Sequence, residues 1–380
     1  MKKIQIMEPY FNKDELKSVK ETLKSGWVTQ GKRVEEFEKN FCDFHELKYG
    51  ACVTSATAGL HLALLALNLK PGSEVIVPSF TWISSANCIL YNNLKPRLID
   101  IDQNTFNSSV DQILLAINEK TSAIIVVNLF GLLVNVKELK SRLPNKNIKI
   151  IEDSACATGS MNNNKFSGCY SDYSIFSFHP RKIITTGEGG MVVSKNKTNI
   201  EKIKILRDHG ASSDDISQHF NKRPVYAMSI FNNLGYNYRM TDINAGIGVM
   251  QIKKLKVIIS NRRKAADIYF KKLKSLSWLK LPTPDKSSFH TFQSFVCLIN
   301  QDSKINRNLL QTFLLKKGIT TRPGMHAIHN LDYYKRRFGY KTIDYPISNL
   351  CEKNSFALPI HNKLKKSDYN FISRMILKYK

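Results

Sequence analysis

The sequence predicts an α/β protein: a large domain on a mostly parallel sheet, then a smaller C-terminal α+β domain. Three observations predict it. Between about residues 50 and 194, short apolar runs alternate with helical patterns. Those runs are continuously apolar, as in strands covered on both faces. A long helical stretch at 241–276 then separates this region from a tail of short mixed elements. We place the large domain at 1–245, with an N-terminal helical segment, and the small domain at 246–380.

Each element follows from its local pattern. Leu16, Val19 and Leu23 recur at helical spacing, so residues 12–24 read as a helix that Ser25-Gly26 ends. The linker Trp27-Val-Thr-Gln-Gly31 leads to a second helix carrying Val34, Phe37 and Phe41. Trp27 and Thr29 in this linker could touch a ligand, or Trp27 could anchor packing. A strand at 51–53 runs into a turn of small residues, Ser55-Ala-Thr-Ala-Gly59, and a helix at 60–66 that Pro71-Gly72 breaks. A strand at 74–77 ends at Pro78, and a helix covers 82–91. Strands at 97–101, 123–127 and 148–151 alternate with helices at 110–118 and 136–142, and Glu152-Asp153 closes the last strand. Strands at 174–178 and 191–194 complete the sheet. In the tail, a strand at 294–299 and a helix at 306–317 are legible. Ligands in such sheets sit at the carboxyl ends of the strands. That puts residues 55–58, residues 79–82, Asp153 and Lys182 on one rim.

The composition sets limits. The chain has 380 residues, 42% of them hydrophobic and 23% charged, which is enough apolar material for two cored domains. Fifty-seven Lys plus Arg against 31 Asp plus Glu give a net charge of +26. Such a field favours anionic partners. The basic residues are spread along the chain with no aromatic interleaving, which speaks for a solvated surface and an anionic small molecule and against nucleic acid. Seven cysteines without CxxC spacing fit free thiols in a reducing compartment. The start of the chain has no signal-peptide apolar region, and the longest apolar run, 123–134, is broken at Asn128 and too short to span a bilayer. We expect a cytoplasmic protein with no membrane insertion.

Three features on the rim carry chemistry. The small side chains of Ser55–Gly59 let a phosphate approach backbone N–H groups at a helix start, with the Thr57 hydroxyl as a further donor. An ordinary helix cap reads the same way. Asp153, at the end of an apolar strand, either caps a loop or meets a cation. Lys182 follows Phe176-Ser-Phe-His-Pro and precedes Gly187-Glu-Gly-Gly190; it is either solvated or, if partly buried, a usable amine nucleophile. Together they match what pyridoxal 5'-phosphate requires: a lysine for a Schiff base, a carboxylate for the pyridine nitrogen and a helix end for the phosphate.

At these residues the chain resembles the DegT/StrS family of pyridoxal-phosphate nucleotide-sugar aminotransferases, of fold type I (aspartate aminotransferase-like), and among them the perosamine-synthase-like members. The likeness runs nearly end to end. It includes Ser25–Gly31, Thr54–Ala66, Glu74–Trp82, Ile151-Glu-Asp153, Gly235-Tyr-Asn-Tyr-Arg-Met-Thr-Asp242 and Ala357-Leu-Pro-Ile-His361. The phrase Phe176-Ser-Phe-His-Pro-Arg-Lys-Ile-Ile-Thr-Thr-Gly-Glu-Gly-Gly190 is the most specific. The resemblance implies that Lys182 is the Schiff-base lysine and proton shuttle and that Asp153 pairs with the pyridine nitrogen. It implies that Trp82 stacks on the cofactor ring, and that Thr57, Ala58 and Ser177 hold its phosphate. Asn237 resembles an asparagine that reaches the phosphate from a neighbouring subunit, so a homodimer with its active site at the interface is expected. Without the resemblance, Trp82 reads as core packing and Asn237 as a turn residue.

Three departures stand out. The family's SGTAA reads Ser55-Ala-Thr-Ala-Gly59 here. Cys156 stands where the family often has Gln, His or Glu near the cofactor's phenolic oxygen, and a thiol is a weaker donor. Arg322-Pro-Gly-Met-His-Ala-Ile-His329 departs from the family's RPxYxPLH. His326 and His329 could contact a substrate phosphate or sugar, or pack in the core; two nitrogens fall short of a metal site, and no metal is expected.

The expected reaction moves an amino group from an amino acid, L-glutamate for choice, to a keto group of a nucleotide-linked sugar. A 4-keto-6-deoxyhexose would give a 4-amino-4,6-dideoxy sugar of the perosamine or viosamine type, for glycan or O-antigen biosynthesis. A 3-keto sugar or a keto-inositol is an alternative substrate. Two rivals are more distant. Sugar 3-dehydratases of this family carry histidine where Lys182 stands. A non-catalytic basic regulatory protein would not need the cofactor residues.

Overall fold

The computed structural model describes residues 3–211, 230–284 and 286–379. Helices α1 (Lys13–Lys24) and α2 (Lys32–Phe44) precede β1 (Tyr49–Val53) and α3 (Ala56–Ala66). There follow β2 (Glu74–Pro78), α4 (Ser84–Tyr91), β3 (Lys95–Ile99), α5 (Val110–Leu115), β4 (Thr121–Val127), α6 (Val136–Arg142) and β5 (Lys149–Asp153). The short pair β6 (Met161–Asn162) and β7 (Lys165–Phe166) leads to β8 (Tyr173–Ser177), β9 (Gly190–Ser194) and α7 (Lys197–Leu206).

These elements form a seven-stranded sheet of order β1-β9-β8-β5-β4-β2-β3. The strands from β8 to β3 pair in parallel, while β9 runs antiparallel to both β8 and β1. A parallel crossover takes a dozen or more residues, usually with a helix. The link from Ser177 to Gly190 forms no helix and folds as loop, so β9 turns back beside β8.

Several element bounds differ from the sequence reading. Helix α3 begins at Ala56, within the expected turn, because Ser55 is extended (φ −164, ψ 162) and its Oγ accepts from the Ala58 amide at 3.1 Å. That is an N-cap, and it places Thr57 and Ala58 in the first helical turn. Helix α4 starts at Ser84, leaving Trp82 outside it. Strand β3 starts two residues early, and α7 was not expected, its apolar spacing being diluted by Lys197, Lys202 and Lys204.

The C-terminal half starts with α8 (Asp242–Leu273), capped by the Thr241 hydroxyl, which accepts from the Asn244 amide. Next come β10 (Leu279–Lys280), β11 (Ser288–Phe289), β12 (Phe295–Ile299), α9 (Arg307–Lys316), β13 (Arg322–Pro323), α10 (Asp332–Phe338), α11 (Pro346–Asn354), β14 (Ser355–Leu358) and α12 (Lys366–Leu377). Four of these strands form a second, antiparallel sheet of order β10-β12-β14-β13. Helix α8 serves two cores. Its Ala245, Val249, Leu255 and Ile259 pack with Phe37, Phe41, Phe176 and Phe178. Its Ala266, Tyr269 and Leu273 pack with Phe295, Leu310 and Ile372. The domain boundary we propose, at 245/246, falls inside this helix. All seven cysteines are free and buried. Among the described residues no helix is long and apolar enough to cross a membrane.

Candidate active site

Four elements end on one rim: β5 at Asp153, β8 at Ser177, the β1–α3 turn at Ser55, and the loop before β9 that carries Lys182. Asp153 is 5% exposed. Its Oδ2 accepts from Ser85 Oγ at 2.7 Å, and its Oδ1 from the Ala155 amide at 3.2 Å. Thr81 Oγ1 stands 3.1 Å from Ser85 Oγ, so a short hydroxyl chain backs the carboxylate. Burial raises the Asp153 carboxyl above its ordinary value; the Ser85 and Ala155 hydrogen bonds and the Lys182 charge pull it down without cancelling that rise. A buried carboxylate in this condition has room for a cationic partner.

The helix start beside it is open to an anion. The Ala58 amide is held by Ser55 Oγ, while the Ala56 and Thr57 amides meet no acceptor among the described residues. The Thr57 side chain is half-buried beside them. Ser177, buried at the end of β8, accepts from the His179 amide at 3.4 Å. Gly190 lets β9 pass under the turn. A Cβ there would lie 2.6 Å from the Ser55 carbonyl carbon and 2.7 Å from the Ala56 nitrogen.

Lys182 is half-buried in the β8–β9 loop, its amide bonded to the His179 carbonyl at 2.9 Å. Its Nζ donates to Cys156 Sγ at 3.2 Å. Cys156, which the resemblance would set near the cofactor's phenolic oxygen, touches the amine here.

The other expected residues divide. Trp82 is 50% exposed, so it does not pack in the core. Its ring lies 5.9 Å from that of exposed His326, and the Thr81 amide donates to the His326 carbonyl, joining the rim to the C-terminal sheet. His329 lies behind the rim, in contact with Ser79. It is fully buried, its Nδ1 2.5 Å from Ser79 Oγ and its ring stacked on Tyr345 at 4.7 Å, and burial lowers its pKa. Its contact is to Ser79 in the core, so in this structure it takes the packing reading and not the substrate one. Trp27 and Thr29 are exposed, in a loop whose Val28 and Thr29 carbonyls accept from the Asp242 amide. Asn237 is exposed and paired in an isolated bridge with Asp208, so it points away from its own chain's core.

Three residues escaped the sequence reading. Ser85 lies within the apolar pattern of α4, and only its spacing of four from Thr81 hints at an inward polar face. Glu152 is buried under four donors: Asn128 Nδ2, Ser167 Oγ, the Gly168 amide and Ser171 Oγ, at 2.7–3.0 Å. Side chains alternate along a strand, so Glu152 anchors one face of β5 while Asp153 serves the other. Gln293 Nε2 donates to the Arg181 carbonyl at 2.7 Å, tying the lysine loop to the second sheet. No local pattern marks Gln293.

The residues fit pyridoxal phosphate. Asp153 would meet a protonated ring nitrogen, and the Ala56–Thr57 helix start, open only because residue 190 is glycine, would take a phosphate.

Comparison with known proteins agrees. The model of the DegT/DnrJ/EryC1/StrS aminotransferase family matches residues 9–376. The GDP-perosamine synthase of Escherichia coli O157:H7 is 35% identical over 339 residues, covering 89% of each chain. That of Vibrio cholerae is 33% identical over 357 residues, covering 94% of this chain and 93% of its own. A Streptococcus pneumoniae protein described as a candidate sugar aminotransferase, Spr1654, has been solved in forms labelled PMP and PLP. The PMP form superposes with a TM-score of 0.90 at 28% identity, covering 98% of both chains, and the PLP form with 0.89 at 27%, covering 98% of this chain and 97% of that one.

Proposed function

The chain belongs to the DegT/DnrJ/EryC1/StrS aminotransferase family, and from that premise we propose that it aminates a 4-keto-6-deoxyhexose carried on a nucleotide, giving a perosamine-type 4-amino sugar. It is a pyridoxal-phosphate-dependent sugar aminotransferase. The observation that carries the reading is Lys182, half-buried on the rim with its charge acting on Asp153, in a chain with 33–35% identity to GDP-perosamine synthases.

The cofactor, when bound, supplies an electron sink for the carbon that loses its proton. The chain's own residues do the rest. In the first half-reaction Lys182 Nζ takes the proton from the α-carbon of the amino donor, L-glutamate in our reading. In the second it delivers one to the former carbonyl carbon of the sugar. Asp153 would set its carboxylate against the ring nitrogen, where burial makes a charge count most. Ser85 fixes the carboxylate's orientation. Trp82 offers a half-exposed ring for stacking.

The active form in this reading is a homodimer. Asn237 is exposed, and an apolar face of α1 and its neighbours (Phe11, Leu16, Leu23) is open: Leu16 is 73% exposed and Leu23 55%. A second copy of the chain would cover such a face. A cytoplasmic location and a role in glycan or O-antigen assembly belong to the same reading.

The test is a screen of keto-sugar nucleotides against protein preloaded with glutamate. A GDP-linked 4-keto-6-deoxyhexose restores the visible absorption of the lysine-bound cofactor, with a new amino sugar seen by mass spectrometry. If only a 3-keto sugar or a keto-inositol restores it, the 4-keto reading is wrong.

A further inference from the structure

Among the described residues the arginines are partnered, with two exceptions. Among the described residues, Arg33, Arg97, Arg142, Arg207 and Arg239 meet carboxylates. Arg262, Arg263, Arg307 and Arg336 bond to carbonyl oxygens, Arg337 to a tyrosine hydroxyl, and Arg374 lies over an aromatic ring. The guanidinium groups of Arg181 and Arg322 have neither acceptor nor ion-pair partner among the described residues.

These two belong to one place. Arg181 immediately precedes Lys182, and its carbonyl is held by Gln293. Gln293 is positioned by Arg262 of α8, whose Nη1 bonds to the Gln293 carbonyl at 3.1 Å. Val296, three residues on, pairs with Ala357, and Ala357 pairs with Arg322. Arg322 thus stands two strands over from β12, the strand that Gln293 leads into. Burial and the charge of Arg181 both lower the Arg322 pKa. The charges of Arg181, Lys182 and Arg322 all act on His179. The carboxylates facing this group serve others: Glu188 lies 4.0 Å from His179, and Asp153 acts on Lys182.

Like charges gathered without an anion destabilise the protein that holds them. A ligand that supplies the anion reverses that cost. We propose that Arg181 and Arg322 form an oxyanion-binding subsite that receives an anionic group of the substrate held over Lys182. This rests on the reading of the site as a sugar aminotransferase. The guanidinium fork matches carboxylate and phosphate oxygens two at a time. Either a carboxylate of the amino donor or the diphosphate of the sugar nucleotide has that chemistry. The subsite explains why Arg322 is half-buried and has no partner among the described residues.

The experiment titrates holoenzyme with two unreactive probes, glutarate and GDP, followed by calorimetry and by the visible spectrum. Wild type is compared with Arg181→Met, Arg322→Met and Arg322→Lys. Both methionine variants weaken one probe by about ten- to a hundredfold and leave the other within twofold, and Arg322→Lys falls between. Loss of glutarate identifies the donor carboxylate; loss of GDP identifies the diphosphate. Both probes binding the variants as they bind wild type overturns the inference, and so does wild type binding neither. Arg181 is exposed, so Arg181→Met keeps the test open should Arg322→Met fail to fold. Turnover of a keto-sugar nucleotide by wild type is measured alongside. If turnover persists while the variants bind normally, this inference falls and the functional reading stands. A wild type that takes up no cofactor sinks the functional reading instead.

Discussion

Lys182 Nζ lies 3.2 Å from Cys156 Sγ. The amine expected to do the chemistry is thus held by a sulfur, a soft and weak partner that gives it up easily. Lys182→Ala should abolish the visible absorption of the lysine-bound cofactor. It should also lower turnover roughly 10²–10⁴-fold or more. Spectrophotometry and a coupled glutamate assay read both. A coloured, active Lys182→Ala variant would remove the lysine from the mechanism.

Cys156→Ala removes the partner and keeps the amine. It should still take up cofactor, with turnover within about tenfold of wild type, since a thiol hydrogen bond is a small term. A bound cofactor would cover the thiol beside Lys182, so cofactor loading should slow alkylation of Cys156. Peptide mass spectrometry after iodoacetamide compares the rates with and without cofactor. Equal rates would mean that Cys156 does not face the cofactor.

Asp153 couples function to pH. Burial raises its carboxyl in the folded chain. A raised acid stabilises the fold while protonated. That contribution is complete below the unfolded value near 4 and is lost as pH rises through the folded value. The cofactor-free protein therefore carries a penalty at neutral pH. Asp153→Asn, which cannot ionise, should melt about 1–3 °C higher at pH 7, with the advantage vanishing towards pH 4. The same variant should lose about 10² or more in turnover. Calorimetry across pH decides; a pH-independent difference in melting temperature refutes the coupling.

Gly190→Ala would put a methyl group 2.6–2.8 Å from Ser55 and Ala56 backbone atoms. Overpacking of that kind costs about 1–3 kcal/mol, or roughly a 5- to 150-fold loss of cofactor affinity. The pyridoxal phosphate dissociation constant, from absorbance titration, is the measurement. Unchanged affinity would place the phosphate elsewhere.

A shared site predicts complementation. Lys182→Ala and Asn237→Ala chains are each impaired alone. Mixed and reassembled, they should regain activity, because a mixed dimer has one site with both residues intact. No recovery after verified exchange of subunits would confine each site to one chain.

Much of this was legible in the sequence for a physical reason. Strands such as Ile124–Val127 and Ile150–Ile151 are covered on both faces, so they read as unbroken apolar runs. Ser55, Asp153 and Lys182 stood out because small or charged side chains at or just beyond such strand ends need a reason to be there. What stayed hidden was set by contacts distant in sequence. Ser85 and Asp153 are 68 positions apart, and Gln293 reaches Arg181 across 112. Trp82 left its bland reading as core packing for the surface, while His329 kept the bland one and went into the core. Hydropathy alone ranks them the other way.

Helix α8, 32 residues long and about 48 Å from end to end, leaves this chain no seam. Its first turn holds the Trp27–Gly31 loop and, through Asn244, the Thr186 and Glu188 carbonyls of the lysine loop. Its middle holds Gln293 through Arg262, and its last turns line the C-terminal core. Heating should bleach the cofactor's colour and dissolve the fold in the same cooperative step. A cut at 245/246 would leave only the helix's first turn on one fragment and the rest on the other, and neither core complete.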